Sequence, residues 1–345
     1  MAKSVTLADI GKRAGVSAVT VSKALSGQTG VSEEMRQTIL RLADEMGYKR
    51  PVKTQAAVVG TQVIGVIVSE RYLDENQSYY WKFYQGISTC AVHEGCLAVL
   101  ETVTEEEEER IQVPKVIEDK KADGIVILGA FHREYMHMIN RMSLPKIFLD
   151  AHLLAEPCDA VVSDNEVGSC LLTDRLFELG HEKIGFVGTP NATTSIDERF
   201  LGYIRSHLRH GRQVEKSLVV LDRDRLTGDV NYEKYFQLPD QLPTAFVCNC
   251  DLSAVYLIRK LAERGLRVPE DISVTGFDNY VPGVNGTDLS LLTYENDLDT
   301  MVQRTVFMIK RKMNRKRHLP GTVVVTGRHI EGNSVRRIGD PIPFA

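Results

Sequence analysis

The sequence contains few arrangements of residues that could carry out catalysis. No GxGxxG turn follows a predicted strand, and neither a GxxxxGK[ST] phosphate loop nor a GxSxG nucleophile turn occurs. The nine histidines never form an HxxxH or HExxH pattern, and the six cysteines form no CxxC pair. The sequence therefore argues against an enzyme and predicts neither a cofactor nor a metal site.

Charge is distributed unevenly along the chain. Residues 1–60 carry nine basic and five acidic side chains, a net charge of +4, whereas the other residues carry 33 basic and 41 acidic side chains, a net charge of −8. A basic segment on an acidic body suggests that the segment meets a polyanion. Because neither a membrane-spanning apolar run nor a secretion signal is apparent, we expect a cytoplasmic protein.

Three short helices are predicted within residues 1–60. The first is capped by Thr6 and ends at Gly15, the second runs from about 18 to 25, and the third begins after Ser32. Two short helices joined by a tight turn, with a third closing the core, form a helix-turn-helix, whose second helix enters the DNA major groove. The pattern alone leaves open a three-helix cap that binds no ligand.

Residues 5–17 read VTLADIGKRAGVS and residues 20–27 read TVSKALSG, and the pattern continues through Val31, Ser32, Arg36, Gly47 and Tyr48. These residues closely resemble the DNA-binding head of the LacI/GalR family of bacterial repressors. Because roughly fifty consecutive positions follow the family pattern, this motif is far more specific than a generic helix-turn-helix.

The resemblance implies the roles of individual head residues. Ala18 and Val19 match the two base-reading positions, and because both are apolar we expect contact with thymine methyls or a fit of shape. Lys23 would reach a guanine edge or a phosphate, and the hydroxyl side chains would contact phosphates. The predicted DNA-binding residues are Thr6, Leu7, Ser17, Ala18, Val19, Thr20, Ser22, Lys23 and Tyr48.

After Tyr48 the sequence departs from the family. Relatives continue into a hinge helix that wedges a leucine into the minor groove, whereas the aligned position here is Ala57. Alanine is too small to separate a base step, so residues 51–60 are expected to be a linker that is at most partly helical. We expect this protein to bend its operator less than is usual in the family.

From Val63 onward, short apolar runs alternate with helical patterns. Repeated βα units of this kind predict an α/β fold with doubly wound parallel sheets, and the length allows two such sheets. Helices are predicted at 79–93, 167–179 and 252–264. Strands are predicted at 63–68, 97–103, 124–128, 146–150, 160–163, 183–187, 218–221, 245–248 and 273–277.

This body resembles the effector domain of the same family, which is similar to periplasmic sugar-binding proteins. The shared runs are FVG at 186–188, ERFLGY at 198–203, DLSA at 251–254 and PEDISVTGFD at 269–278. The resemblance implies an all-α head at 1–60 and a two-lobed parallel-sheet body at 61–345. Lobe 1 would span about 62–162 and 292–323, lobe 2 about 163–290 and 325–340, with crossings near 161–164, 289–294 and 322–327.

The resemblance also implies a ligand cleft between the lobes. Arg199 would hold hydroxyls or a carboxylate, Asp150 and Asp278 would accept hydroxyls, and aromatic side chains would stack on a sugar or base. Each of these residues could instead have a purely structural role. The predicted effector-binding residues are Tyr79, Tyr80, Asp150, Arg199, Cys250, Asp278 and Asn296, with Trp81 as a further candidate. Cys250 replaces an asparagine of several relatives, so the identity of the effector cannot be transferred from them.

The sequence predicts a DNA-binding transcriptional regulator, a repressor whose affinity for double-stranded operator DNA is switched by a small ligand, such as a sugar or sugar derivative. No helical repeat follows Arg336, so we expect a homodimer rather than a coiled-coil tetramer. Two alternatives remain open: a transport-type sugar-binding protein without a DNA function, and a DNA-processing enzyme. The sequence does not say whether the ligand acts as inducer or corepressor.

Overall fold

The computed structural model describes residues 5–25, 31–46, 61–73, 79–154, 156–280, 288–316 and 321–344. The chain divides into two compact units, Met1–Gly60 and Thr61–Ala345. Tyr48 and the predicted linker at 51–60 lie outside the described residues. No helix within the described ranges is both long and apolar enough to cross a membrane.

The described part of the first unit contains three helices, α1 (Leu7–Ala14), α2 (Ala18–Leu25) and α3 (Glu33–Glu45). Thr6 and Asp9 form a capping box at the start of α1, and Gly15 ends that helix with a left-handed φ of 68°. The apolar stripes of the three helices meet in one small core. Its buried members are Ile10, Val21, Ala24, Ile39 and Ala43.

The turn between α1 and α2 brings the two helices into close contact. A Cβ atom on Gly11 would lie 2.6 Å from the Val16 carbonyl oxygen, so only glycine fits there without movement of the backbone. On the third helix, the Arg36 guanidinium donates to the Ala24 carbonyl over 3.1 Å and joins α3 to the end of α2. The predicted helix-turn-helix is confirmed.

The second unit alternates strands and helices. Its strands are β1 (Gln62–Ser69), β2 (Cys96–Val103), β3 (Gly124–Leu128), β4 (Lys146–Leu149), β5 (Ala160–Ser163), β6 (Ile184–Val187), β7 (Val219–Val220), β8 (Ala245–Cys248), β9 (Ser273–Thr275), β10 (Thr293–Glu295), β11 (Thr322–Val325) and β12 (Arg328–Ile330). Its helices are α4 (Tyr79–His93), α5 (Glu105–Glu109), α6 (Lys115–Glu118), α7 (Arg133–Arg141), α8 (Asn165–Glu178), α9 (Thr194–Arg209), α10 (Tyr232–Tyr235), α11 (Asp251–Glu263) and α12 (Leu298–Met313).

Two parallel sheets form two lobes. The first lobe has six strands in the order β11-β5-β4-β3-β1-β2, and the second has four in the order β7-β6-β8-β9. Strands such as β3 and β8 are buried along their whole length because helices cover both faces of each sheet. The predicted parallel α/β fold is confirmed, with strand ends shifted by a few residues.

The chain passes between the lobes after β5, after β10 and after β11. The prediction that lobe 1 resumes at about 292 is wrong, because Leu292 pairs with Thr275 beside the second sheet. Strand β10 then pairs with β12 rather than with the first sheet. Lobe 1 resumes with α12, whose Met301 and Ile309 lie in the first core.

Helices α8 and α9 of the second lobe pack with their backbones unusually close. A Cβ atom on Gly202 in α9 would lie 2.1 Å from the Glu166 carbonyl oxygen and 2.9 Å from the Cys170 amide nitrogen, both in α8. Backbone atoms cannot move aside as a flexible side chain can. The sequence at position 202 therefore fixes the distance between these two helices.

Gly202→Ala should destabilise the protein, although the same change in an open helix position gains about 1 kcal/mol. The added methyl must push α9 away from α8, and overpacking of this kind costs about 1–3 kcal/mol. Urea unfolding checks this, with Leu201→Ala as the matched control because Leu201 lies in the same helix and is exposed. An alanine variant as stable as the parent would contradict the close contact.

Candidate functional site

A cavity of about 600 Å³ lies between the two lobes, where the strands of both sheets end. Most of its lining residues follow the carboxyl end of a strand or begin a helix. Side chains of the first lobe that line it are Arg71, Tyr72, Tyr79, Tyr80, Ala130 and Asp150. Those of the second lobe include Thr193, Ser195, Ile196, Arg199, Arg223, Val230, Tyr232, Asn249, Cys250, Leu252, Val255, Asp278 and Tyr280.

Arg199 is the central cation of the second lobe. Its Nη2 donates to the Asp278 carboxylate over 2.9 Å, and its Nε donates to Asn165 over 2.8 Å. A third bond runs to the carbonyl of Asn249, and the guanidinium stacks 3.8 Å from the ring centroid of Phe277. Although burial acts to lower it, the charges of Asp278 and Asp150 hold the pKa of Arg199 above its ordinary value.

Asp150 is an acid that the first lobe contributes to the cavity. Its Oδ2 accepts from the Tyr80 hydroxyl over 3.0 Å, whereas its Oδ1 is buried and has no hydrogen-bond partner among the described residues. Burial raises the pKa of Asp150 to about 7, the charge of Asp278 adds to this, and Arg199 opposes it. In this position an ionised carboxylate can accept a hydrogen bond from a ligand hydroxyl. Ionisation costs free energy there because the group is shielded from water.

The two cleft carboxylates also share an uncommon backbone conformation. Asp150 has a φ of 60° and Asp278 a φ of 95°, a region that side-chain-bearing residues rarely adopt. Such strain persists only where the surrounding structure holds it, and it is common at binding sites. Asp150 follows directly after β4 and Asp278 lies three residues beyond β9, so each carboxylate is positioned close to the end of a buried strand.

Asn296 joins the two lobes close to their crossings. Its Nδ2 donates to the Tyr79 hydroxyl over 2.7 Å and to Asp278 over 3.0 Å, while its Oδ1 accepts from Ser163. Tyr79 belongs to the first lobe and Asp278 to the second. The side-chain amide of Asn296 therefore fixes the position of Tyr79 relative to Asp278.

A second buried cation, Arg223, is held by Asp222. Its Nε and Nη2 donate to the two oxygens of that carboxylate over 3.1 and 2.9 Å. Asp222 also accepts from Asn249 over 2.6 Å and from Ser253 over 3.0 Å. Although burial acts to raise it, the charge of Arg223 and these hydrogen bonds hold the pKa of Asp222 below its ordinary value, so the acid stays ionised.

The predicted reading helix of the first unit, α2, presents a distinct face. Ser17, Ala18, Val19, Ser22 and Lys23 are exposed, and Val21 and Ala24 turn inward to the core. The Ser17 hydroxyl accepts from the Thr20 amide over 3.1 Å and caps the helix. The start of α2 is therefore ordered, and two apolar side chains lie on its outer side.

Sequence comparisons match both units to known families. The family described as "Bacterial regulatory proteins, lacI family" matches residues 6–51, and "Periplasmic binding protein-like domain" matches 173–335. The chain is 29% identical over 311 residues to the HTH-type transcriptional regulator reg1 of Streptomyces lividans, covering 87% of this chain and 88% of that protein.

The chain thus joins a DNA-binding domain of the lacI family to a periplasmic binding protein-like domain. Its relatives are regulators rather than enzymes, and this protein is accordingly a DNA-binding transcriptional regulator, not an enzyme or a transport protein. Its fold agrees with a structure of the lac repressor dimer bound to operator and the anti-inducer ONPF, at a TM-score of 0.64 and 22% identity over 97% of this chain and 100% of that one. It also agrees with a CelR–cellobiose complex, at a TM-score of 0.65 and 21% identity over 96% and 99%.

The structure of this regulator brings most of the predicted effector-binding residues together. Tyr79, Tyr80, Asp150, Arg199, Cys250 and Asp278 line the cavity. Asn296 does not line it and instead holds Tyr79 and Asp278 from behind. Trp81, the further candidate, packs against Tyr84 outside the cavity. Whether any of these residues binds an effector stays a prediction.

Several cavity residues were not predicted from the sequence. Arg71 and Tyr72 follow β1, and Asp222 and Arg223 follow β7, so the rule that ligands bind where strands end would have found them. The acidic run at 105–109 begins after a Thr104 cap, and its Glu108 is fully buried beside Arg71, because a buried guanidinium needs a counter-charge.

Asp150→Asn should gain stability over the parent protein as pH rises. The pKa of Asp150 is about 7 in the folded chain against 3.8 ordinarily, so the folded state binds its proton more tightly. The unfolding free energy that this group contributes therefore falls as pH rises from about 4 to about 7.

The measurement is urea unfolding of both proteins at about pH 5 and about pH 8, without ligand. Asp240→Asn, which removes an exposed acid, is the matched control. If the difference between Asp150→Asn and the parent is the same at both pH values, Asp150 is not the perturbed group.

Proposed function

We propose that this protein is a homodimeric repressor whose hold on operator DNA is switched by a small hydroxylated ligand bound between the lobes. The observation that carries the proposal is the interlobe cavity, which combines the buried acid Asp150 with the buried cations Arg199 and Arg223. Since each lobe supplies part of the lining, occupancy of the cavity favours one arrangement of the lobes. Ligand and operator are then thermodynamically coupled.

The chemistry of the cavity favours a sugar or sugar derivative. Carboxylates and guanidinium groups pair well with neighbouring hydroxyls, and aromatic faces stack on the apolar side of a sugar ring. The Tyr72 and Tyr80 rings lie 4.6 Å apart in the first lobe, and Tyr232 stacks on Tyr256 at 4.3 Å in the second. The structure of the relative CelR is a complex with cellobiose, which supports this class of ligand.

A dimer is supported by the exposed edge of the first sheet. Strand β2 is the outer strand, and its Leu97 and Val99 are 50% and 45% exposed. An edge strand with apolar side chains pairs readily with another chain, and a related structure is a dimer on operator. Two heads would match the two-fold symmetry of operator half-sites, and we place this activity in the cytoplasm.

Binding to double-stranded DNA should weaken steeply with salt, by about 0.9 log units in affinity per log unit of salt for each phosphate neutralised. The measurement uses the full chain and operator fragments that are selected from random duplex DNA. We expect two protein chains to bind each fragment. Lys23→Gln should lower the slope by about one if Lys23 contacts a phosphate.

The control for Lys23→Gln is Lys115→Gln, which removes an exposed lysine of the body. A salt dependence that is flat for the parent protein would contradict DNA binding. An unchanged slope with altered sequence preference would instead assign Lys23 to a guanine edge.

Saturation with the right sugar should raise the stability of the parent protein by about 2.7 kcal/mol at one hundred times the dissociation constant. Thermal-shift measurements with cellobiose, maltose, lactose and glucose check this. Arg199→Ala and Arg199→Lys should lose the shift yet keep operator binding, because Arg199 lies in the body. Arg205→Ala, an exposed position of the same helix, is the control. A shift that survives in both Arg199 variants would contradict the assignment.

A further inference from the structure

The chain connects the two lobes along one side of the cleft. The crossings leave the first sheet at β5 and β11, and they meet the second sheet beside β9. Strand β1 lies three places from β5, and β7 lies three places from β9. Neighbouring strands are about 4.8 Å apart, so the ends of β1 and β7 are about 14 Å from the crossings. A contact at those ends therefore resists opening with a longer lever arm than a contact beside the crossings.

Arg71, two residues beyond β1, makes such a contact. Its Nη1 donates to the Asp229 carboxylate over 2.8 Å and to the Thr227 carbonyl over 2.7 Å, both in the loop that follows β7. Asp229 and Thr227 belong to the second lobe, whereas Arg71 belongs to the first. The guanidinium therefore bridges the lobes on the side away from the crossings.

The first lobe holds Arg71 in place for this contact. Its Nη2 donates to both oxygens of Glu108 over 2.9 and 2.7 Å. The Glu108 side chain is fully buried and also accepts from the Ser69 hydroxyl and the His132 amide. Because Glu108 would be a buried charge without Arg71, the pair is fixed inside the first lobe, and Nη1 points outward.

The second lobe holds the acceptors in a similar way. The carbonyl of Asp229 accepts from the Asp224 amide over 2.9 Å, and the Asp224 carboxylate accepts from the Thr227 amide over 3.1 Å. Loops with internal hydrogen bonds of this kind keep their shape. Both halves of the contact are thus formed within their own lobes, so closing the cleft orders few additional groups.

We propose that Arg71, Asp229 and the Thr227 carbonyl form an interlobe latch that keeps the cleft closed without a ligand and sets how often the cavity opens. The latch proposal rests on the proposed function in one respect only, namely that the molecule entering and leaving the cavity is the effector. The latch itself is a property of the ligand-free chain. A ligand that contacts both lobes binds the closed form. The apparent affinity of the protein for that ligand is therefore the affinity of the closed form multiplied by the fraction of molecules that are closed, and loss of the latch lowers this fraction.

Cys250 provides a native probe of this opening. It lines the cavity, whereas Cys248 is buried behind it and Cys90 lies outside the cavity. Alkylation by iodoacetamide, followed for each cysteine by mass spectrometry, measures how often Cys250 becomes accessible when closing is fast. The experiment uses the full chain without DNA or sugar, so its result does not depend on whether the effector proposal holds.

Arg71→Ala and Asp229→Asn should each raise the alkylation rate of Cys250 by about tenfold, which corresponds to about 1.4 kcal/mol in the opening equilibrium. The double variant should not exceed the faster single variant, because both changes remove one interaction. Asp229→Asn leaves the Arg71–Glu108 pair intact, so it tests the latch without disturbing the first lobe.

The matched controls are Arg205→Ala and Glu166→Gln, which break an arginine–carboxylate pair of 2.9 Å inside the second lobe. Both should leave the Cys250 rate unchanged. Parent-like Cys250 rates in Arg71→Ala and Asp229→Asn would overturn the latch. Equal acceleration at the buried Cys248 would indicate unfolding rather than opening of the cleft and would overturn it equally.

Discussion

The buried guanidinium of Arg199 is the interaction on which the cleft depends. A charge of this kind is tolerated away from water only when it is paired and hydrogen-bonded, and here Asp278, Asn165 and the Asn249 carbonyl each accept from a different nitrogen of the guanidinium. These partners come from the end of β9, the start of α8 and the end of β8. The hydrogen bonds of one guanidinium therefore join three elements of the second lobe around the cavity.

The acids around the cavity lie in unlike surroundings. Asp278 lies beside Arg199, and Asp222 lies beside Arg223, so their charges are balanced within the protein. Asp150 has a tyrosine hydroxyl instead of a cation, and burial leaves it about half ionised near pH 7. Asp278 and Asp222 are thus paired with cations of the protein, while Asp150 retains a buried oxygen that has no hydrogen-bond partner among the described residues.

The sequence predicted the architecture well because helices and buried strands follow short-range patterns. The Thr6 cap, the Gly15 stop and the apolar run of β3 each reflect chemistry within a few residues. The start of the second half of lobe 1 was missed because the pairing of Leu292 with Thr275 depends on contacts between distant segments. A run of apolar residues cannot indicate which of two similar sheets it will join.

Only part of the site was predicted, because contacts between distant segments leave no local pattern in the sequence. Arg199 and Asp278 came from a family resemblance, whereas Arg71 and Glu108, 37 residues apart, are joined only by the fold. Five acids in a row look solvated, and no local pattern shows that the fourth turns inward to meet an arginine beyond another strand. Partnerships across the fold, rather than residue types, were the missing information.

The close packing of α8 and α9 at Gly202 affects the cavity, although Gly202 does not line it. Gly202 lies one turn after Arg199 on α9, and the Glu166 carbonyl that it contacts is adjacent to Asn165 on α8. The absent side chain therefore sets the spacing across which Arg199 reaches Asn165. A change in the packing of α8 against α9 would therefore move Arg199 within the cavity without replacing any residue that lines it.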